Sequence, residues 1–447
     1  MKRSDIFEVY PIPKAVWSLS LPLMMGMLIT VIYNIAGAFF VGQLNDVNQV
    51  AAIAISMPIS LLLMACGTIF GVGGGSYISR MLGLKDYKKI KEASSFSFYA
   101  AIALGVLCTI LGLLFMPQIL SLSGASEGTY NYAKSYLSII AACSPLVILS
   151  FSLGQIVRSE GAPKESMFGM ILGTVLNIIL DPILILFLHW GVTGAAIASV
   201  IANAVSVIYY CRFFLKKNSL VSLSIKDFSL DKPMLISIFS IGLPASLNSV
   251  LMSISSVIMN NFAVSYGDQV VAALGVIGRL NMLPVLLLIG LAQGIQPLIG
   301  YNFATKNFDR MKQALRYTSI CGIIIGTIFT VIYFFGASHA IRFFINDSEV
   351  ISLGTQFIRR IILSIPILSV LFVITAAFQA FGMAVPSLIL SISRQGLFFI
   401  PLLIILNKFI GLNGLVYAQP LTDIFSILFG VTMLLKILKS DKMTQSA

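Results

Sequence analysis

Asp181 is the residue whose surroundings most directly indicate chemistry. It lies deep in an apolar run, four residues after Asn177, so the two side chains share one face of a helix. Pro182 follows, and its ring displaces the carbonyl four residues earlier, that of Ile178. A carboxylate, an amide oxygen and a freed carbonyl form an oxygen-rich site that suits Na⁺ or a proton. The alternative is a structural aspartate that is hydrogen-bonded between helices.

Arg279, Arg394 and Asp423 also lie inside apolar runs. Each is about nine residues, or ~14 Å of helix axis, from one end of its run. If these runs cross a membrane, an unpaired charge at that depth is costly. We therefore predict a buried ion pair, either Arg279–Asp423 or Arg394–Asp423, with a structural role. Direct contact of these charges with a substrate is the alternative.

The composition indicates that lipid is the solvent for much of the surface. Of the 447 residues, 58% are hydrophobic and 10% are charged, whereas a soluble domain has about 25% charged residues. Apolar runs long enough to cross ~30 Å of hydrocarbon as helices start near Ala15, Val50, Ser94, Tyr136, Ser166, Gly194, Leu235, Val270, Ala314, Phe357, Val385 and Gly414. The sequence therefore predicts an all-α integral membrane protein with twelve transmembrane helices.

The basic residues indicate how these helices are oriented. Most of the 29 Lys and Arg residues fall at the N-terminus, in alternate loops and in the C-terminal tail. This excess marks the cytoplasmic side, so we predict that both termini are cytoplasmic. The same distribution accounts for the net charge of +12 without a nucleic-acid partner. Because no catalytic constellation is recognisable, we do not expect an enzyme.

The chain repeats itself at an offset of about half its length. Ser18–Pro22 matches Ser240–Pro244, and Lys85–Ala93 matches Lys306–Ala314. Six helices per repeat is an even number, so both repeats enter the membrane in the same direction. We predict two parallel six-helix lobes, residues 1–225 and 226–447, around a central cleft. Such a cleft favours a transporter over a channel or receptor.

Some side chains within the spans could line that cleft. Met25, Phe39, Met252 and Met282 would form an adaptable apolar surface. Tyr33, Asn34 and Gln155 would add polar groups. We expect a small-molecule substrate, contact with membrane lipid and function as a monomer.

Several motifs resemble those of the multidrug and toxic compound extrusion family, closest to its MepA-like bacterial branch. They are Gly71–Tyr87, Arg158–Pro163, Asn177–Ile185 and Ser393–Pro401. The resemblance implies a V-shaped transporter of the bacterial cytoplasmic membrane that expels cationic amphipathic compounds in exchange for H⁺ or Na⁺. A lipid or lipid-linked oligosaccharide flippase of similar architecture is the alternative.

The resemblance also implies roles for individual residues. Asn177 and Asp181 match the family's cation site, Ser199 falls where that site has a hydroxyl, and Pro22 matches a proline whose bending is proposed to gate transport. One position departs from the pattern, because Gly37 replaces an aspartate that many relatives have after the Tyr33-Asn34 pair. A single carboxylate suffices for a proton, whereas Na⁺ favours more oxygen ligands. We expect no cofactor and favour H⁺ as the coupling ion, with Na⁺ as the alternative.

Overall fold

The chain folds into long helices of membrane-spanning length. A computed structural model describes residues 5–44, 46–215 and 219–439, and all regular secondary structure within these ranges is helical. Eleven helices in this part are long and apolar enough to cross a membrane, and one bent helix pair makes a twelfth. The prediction of an all-α membrane protein with twelve spans is confirmed.

The spans are numbered here along the chain. Spans 1 to 6 are Ile12–Gly42, Val47–Gly83, Tyr87–Leu114, the bent pair Glu127–Ala142 and Ser144–Ser159, Pro163–Pro182 continued by the π-helical segment Ile183–Phe187, and Gly191–Phe214. Spans 7 to 9 are Lys232–Val264, Asp268–Gly294 with Gln296–Ala304, and Phe308–Arg342. Span 10 is Ser348–Ile361 and Ile365–Phe381, joined by the 3₁₀ turn Ile362–Ser364. Span 11 is Ala384–Ile392, the π-helical segment Ser393–Phe399 and Ile400–Ile410, and span 12 is Leu412–Lys439.

Several prolines coincide with irregular points of these spans. The two helices of span 4 meet at 56°, and Pro145 lies in the first turn after the bend. Pro297 and Pro401 likewise begin the helical segments that follow a break. Because a proline cannot donate an N–H, it fits the first turn of a helix and disturbs the interior. Pro22 lies inside span 1, where its gating role stays a prediction.

The chain forms two compact units. Of the described residues, the first unit contains Met25–Ser246, and the second contains Asp5–Met24 together with the chain from Leu247 onward. Their limits fall inside spans 1 and 7, at equivalent places in the two repeats. The division into lobes after residue 225 stays a prediction.

In the first unit, span 2 crosses the first half of span 7 at very short range. A Cβ atom added to Gly73 would lie 2.2 Å from the carbonyl oxygen of Ile238, and one added to Gly242 would lie 2.1 Å from that of Ile69. These distances are shorter than any van der Waals contact. Glycine is therefore required at this crossing by close helix approach, which small residues permit in membranes.

The second unit contains an equivalent crossing of span 8 and the first half of span 1. A Cβ atom on Gly294 would lie 2.5 Å from the Cα of Ser20, and one on Gly290 would lie 3.1 Å from the Cα of Met24. The Ser20 hydroxyl donates a hydrogen bond of 2.9 Å to the Leu291 carbonyl. The sequence repeat thus extends to the packing of the helices.

We expect Gly73→Ala to destabilise the protein by about 1–3 kcal/mol, the usual cost of overpacking a tight contact. The matched control is Gly336→Ala, also within a helix, where an added Cβ meets nothing within 4 Å. That change should be neutral or stabilising, because alanine favours helices. Thermal unfolding in detergent measures both, and equal melting temperatures for the two variants would contradict the close crossing.

Candidate functional site

A stripe of small residues positions the polar end of span 5. The buried residues of this helix include Ser166, Gly169 and Gly173, followed by Asn177 and Asp181, all along one face. Their spacing of three or four residues keeps them on the side that packs against span 6. Asn177 and Asp181 therefore reach the interior, where they are only 3% and 4% exposed.

Asn177 is oriented by span 6. Its Nδ2 atom donates to the Ser199 hydroxyl at 3.3 Å. Its other amide atom, Oδ1, is buried and accepts no hydrogen bond from any residue that the structure describes. A buried acceptor without a donor costs about 1–3 kcal/mol. A cation bound beside Asp181 would remove that cost, so the orphaned oxygen fits the predicted cation site.

The helix changes its hydrogen-bond pattern directly after Asp181. Pro182 has no N–H to offer Ile178, and the Ile183 N–H bonds to the Leu180 carbonyl instead of following the α-helical pattern. The π-helical segment Ile183–Phe187 follows. Single π-helical turns often occur at functional sites. This break is consistent with the prediction that the Ile178 carbonyl is free to bind a cation.

Span 1 contributes Gly37 and Tyr33 to the surroundings of Asp181. A Cβ atom on Gly37 would lie 3.9 Å from the Asp181 Oδ2 atom. Tyr33 lies close enough to Asp181 to experience its charge, and its hydroxyl interacts with Ser199. The glycine that departs from the family pattern therefore directly faces the carboxylate, so a side chain at position 37 would contact Asp181.

Tyr136 of span 4 also lies near Tyr33 and Asp181, and sequence reasoning did not find it. The available signal was a phenol in the first turns of the fourth apolar run.

No group of three or more His, Cys, Asp and Glu side chains gathers anywhere in the described ranges. The atoms around Asp181 that could act as cation ligands are therefore amide, hydroxyl and carbonyl oxygens. Such oxygens suit a hard monovalent cation or a proton.

The second unit contains a buried ion pair. Arg394 Nε lies 2.9 Å from Asp423 Oδ1, and the side chains are 15% and 2% exposed. Asp423 also accepts hydrogen bonds of 3.0 Å from Gln419 Nε2 and from the Ser364 hydroxyl. Arg394 lies in the π-helical segment of span 11, with its guanidinium 5.4 Å from the centre of the Phe372 ring. Of the two pairs left open by the sequence, the structure contains Arg394–Asp423.

The expectation of a buried, paired Arg279 is wrong. Its side chain is exposed, on the face of span 8 opposite the buried residues Val270, Ile277 and Leu288. The helical register explains the difference, because the residues that pack against spans 9 and 10 lie about half a turn away from Arg279.

The predicted cavity residues lie at the surfaces of their own units. Met25, Phe39 and Met252 are exposed by 44%, 60% and 52%, and Met282 is half-buried. Among the polar candidates, Asn34 donates to the Thr30 carbonyl within its own helix, and Gln155 packs against Gly71. Their contact with a substrate stays a prediction.

Comparison with known proteins gives the family. The family model MatE matches two segments of the chain, residues 22–183 and 244–405. The chain belongs to the MatE family. The two matched segments begin at Pro22 and Pro244, the repeat-related prolines, and each covers most of one six-helix repeat of this MatE protein.

Relatives and solved structures agree with this assignment. The chain is 37% identical over 438 residues to "Multidrug export protein MepA" of Staphylococcus aureus (strain MRSA252), covering 98% of this chain and 96% of the relative. It is 38% identical over 418 residues to the protein of the same name from Staphylococcus haemolyticus (strain JCSC1435), covering 93% and 92%. The structure named "Crystal structure of MATE in the bent conformation" matches with a TM-score of 0.92 and 25% identity over 100% of both chains. This MatE protein is thus a multi-pass membrane protein with the two-repeat MATE fold.

Proposed function

We propose that this chain exports cationic, amphipathic small molecules across the cytoplasmic membrane in exchange for H⁺ or Na⁺. The observation that carries the proposal is the buried Asp181 carboxylate beside an unpaired Asn177 amide oxygen, in a MatE protein whose relatives are named multidrug export proteins. Asp181 binds the coupling ion, and Asn177 and Ser199 are neighbouring ligands of the same ion.

The physical basis of coupling is the cost of a buried charge. An ionised carboxylate at membrane depth is costly, and a bound cation neutralises it. Binding and release of the cation therefore favour different conformations of the surrounding helices. An ion that binds the outward-facing form more tightly shifts the population towards it, as alternating access requires. By linkage, a substrate that favours the other form lowers the affinity for the ion.

We also propose that both termini are cytoplasmic and that the monomer is functional. The exposed Lys85 lies in the loop between spans 2 and 3, and the exposed Lys88 and Lys89 lie in the first turn of span 3. This basic cluster at one end of the two spans supports the orientation.

The function is tested with purified protein in vesicles loaded with a fluorescent cationic dye. A proton gradient is imposed in sodium-free buffer, and a sodium gradient is imposed separately at constant pH. We expect the proton gradient alone to drive dye movement. Dye movement at the rate of protein-free vesicles under both gradients would contradict the proposal, and movement with sodium only would assign Na⁺ as the coupling ion.

A second carboxylate beside Asp181 should strengthen the use of sodium. Because a side chain at position 37 would contact Asp181 Oδ2, Gly37→Asp adds the missing oxygen ligand. We expect the variant to show sodium-driven dye movement at Na⁺ concentrations at least about tenfold below any at which the wild type responds, which corresponds to ~1.4 kcal/mol.

The matched control is Gly42→Asp on the same span, where an added Cβ meets nothing within 4 Å. It should leave the sodium dependence of transport unchanged. An unchanged sodium dependence in Gly37→Asp, with normal expression, would contradict the role of position 37.

A further inference from the structure

The chain before span 1 is folded onto the second unit. The short helix Asp5–Glu8 cannot continue, because Pro11 has no N–H to donate to the Phe7 carbonyl. The Tyr10 N–H reaches past Ile6 to the first residue of the helix. Within the described chain, the carbonyls of Ile6 and Phe7 therefore accept no backbone N–H. Carbonyls at a helix end that are shielded from water need another donor.

Arg310, in the first turn of span 9, supplies donors for this segment. Its Nε atom donates to the Phe7 carbonyl at 2.6 Å. Its Nη2 atom donates to the Tyr10 carbonyl at 2.6 Å and to the Ile6 carbonyl at 3.4 Å. Asn302 Nδ2 adds a longer bond of 3.4 Å to the Phe7 carbonyl. A guanidinium has five N–H donors in one plane, so a single arginine can hold several carbonyls.

Side-chain contacts hold the same part of the chain. The Phe7 ring is fully buried and stacks on Tyr301 of span 8, with ring centroids 5.1 Å apart and planes at 18°. The Tyr301 hydroxyl donates a hydrogen bond to Glu8. Further along, the Trp17 indole N–H donates to the Tyr317 hydroxyl of span 9 at 3.2 Å. The chain that leads into span 1 is thus attached to spans 8 and 9 by both backbone and side chains.

Span 1 itself is divided between the two compact units. Its residues up to Met24 belong to the second unit, and those from Met25 onward belong to the first. A helix divided in this way transmits motion reliably if each half moves with its own unit. The first half has two attachments to the second unit, the crossing with span 8 at Gly290 and Gly294, and residues 5–11, which we call the N-terminal clasp.

We propose that Arg310 is a positioning residue for transport, which fixes the first half of span 1 to the second unit through the N-terminal clasp. This inference rests on the proposed function and adds a residue that the coupling site does not include. Arg310 acts through the carbonyls that it holds, not by contact with the ion or the substrate. When the clasp is open, the start of span 1 no longer follows its unit, and the conformational step of the transport cycle slows.

The test combines a structural and a kinetic measurement on the full-length protein. Hydrogen–deuterium exchange in detergent follows the amides of residues 5–17, and dye movement in vesicles is measured over a range of dye concentrations. We expect Arg310→Gln to raise the exchange rate of these amides at least about tenfold, because hydrogen bonds to a charged group are among the stronger ones in proteins. Exchange in span 8 should stay unchanged.

The kinetic effect should fall on the rate and not on substrate binding. We expect the maximal rate of Arg310→Gln to fall at least about twofold, because conformational steps limit many such cycles. The half-saturating dye concentration should stay as in the wild type, since no ligand of the substrate is removed. Arg310→Lys keeps the charge but has fewer donors, so its exchange and its rate should lie between those of the wild type and Arg310→Gln.

Lys312→Gln is the matched control, because it removes an exposed basic residue two positions along the same helix. It should change neither measurement. The proposal is overturned if Arg310→Gln leaves the exchange of residues 5–17 unchanged, or if it opens the clasp and still transports at the wild-type maximal rate. If Arg310→Gln does not fold, Phe7→Ala replaces it, because this change removes the ring that stacks on Tyr301. Unchanged exchange or an unchanged rate in Phe7→Ala overturns the proposal equally.

Failure of the proposed function would be visible separately. A wild type that moves no dye under either gradient rejects that function, and the exchange measurement then decides whether Arg310 fixes the start of span 1. Dye movement in the wild type, together with an unchanged maximal rate in Arg310→Gln, rejects this inference alone.

Discussion

Gradient-driven export is expected to disappear in Asp181→Asn while the protein remains folded. Asparagine keeps the size and polarity of the side chain, so the packing of span 5 against span 6 should persist. It removes the charge that a proton or Na⁺ neutralises, and with it the energy difference that couples the ion to the conformation. Dye efflux from vesicles under an imposed gradient measures the effect.

Two measurements separate coupling from folding and substrate binding. Glu165→Gln is the matched control, because Glu165 is also a carboxylate on span 5 but lies near its beginning, where it accepts a hydrogen bond from Tyr209. That variant should export normally. Exchange of labelled for unlabelled substrate without a gradient should persist in Asp181→Asn. Full gradient-driven export by a well-expressed Asp181→Asn variant would remove Asp181 from the coupling site.

Asn177→Ala should have a smaller effect. It removes one neutral ligand but leaves the carboxylate, so export should continue with a weaker dependence on the coupling ion. The comparison with Asp181→Asn therefore ranks the two groups, and an equal and complete loss of export in both variants would indicate that they act as one unit.

The spacing of residues predicts the local part of this site well. Asn177 and Asp181 are one helical turn apart, and the stripe of Gly169 and Gly173 explains why that face is buried. The position of Tyr136 near Asp181 depends on how separate spans meet. The π-helical turn after Pro182 depends on a local change in hydrogen bonding. Neither follows from the periodicity of one segment.

The same limit explains the charges of the second unit. Arg279 and Arg394 both lie about equally deep in apolar runs, and sequence depth alone does not distinguish them. Only the arrangement of spans 10, 11 and 12 shows that Asp423 meets Arg394, together with Ser364 and Gln419. The repeat was visible from the sequence, whereas the close helix crossings at Gly73 and Gly294 require the structure.

Breaking the Arg394–Asp423 pair is expected to destabilise the second unit strongly. Removal of one partner from a buried ion pair typically costs about 3–5 kcal/mol, because the other charge remains without compensation. Asp423→Asn and Arg394→Met keep approximate side-chain size, so the loss of charge dominates over cavity formation. Thermal unfolding of the purified variants in detergent measures the effect, with the exposed Lys408→Met as control.

The two single variants should not be equal. Asp423 without Arg394 keeps the hydrogen bonds that it accepts from Ser364 and Gln419. Arg394 cannot lose its proton, so Asp423→Asn leaves a charged guanidinium that is only 15% exposed. We therefore expect Asp423→Asn to lower the melting temperature more than Arg394→Met. The double variant should recover part of the loss, because neither charge is then left alone. Strict additivity of the two single effects would show that the pair contributes no coupling energy, and the role of Asp423 would then rest on its hydrogen bonds to Ser364 and Gln419.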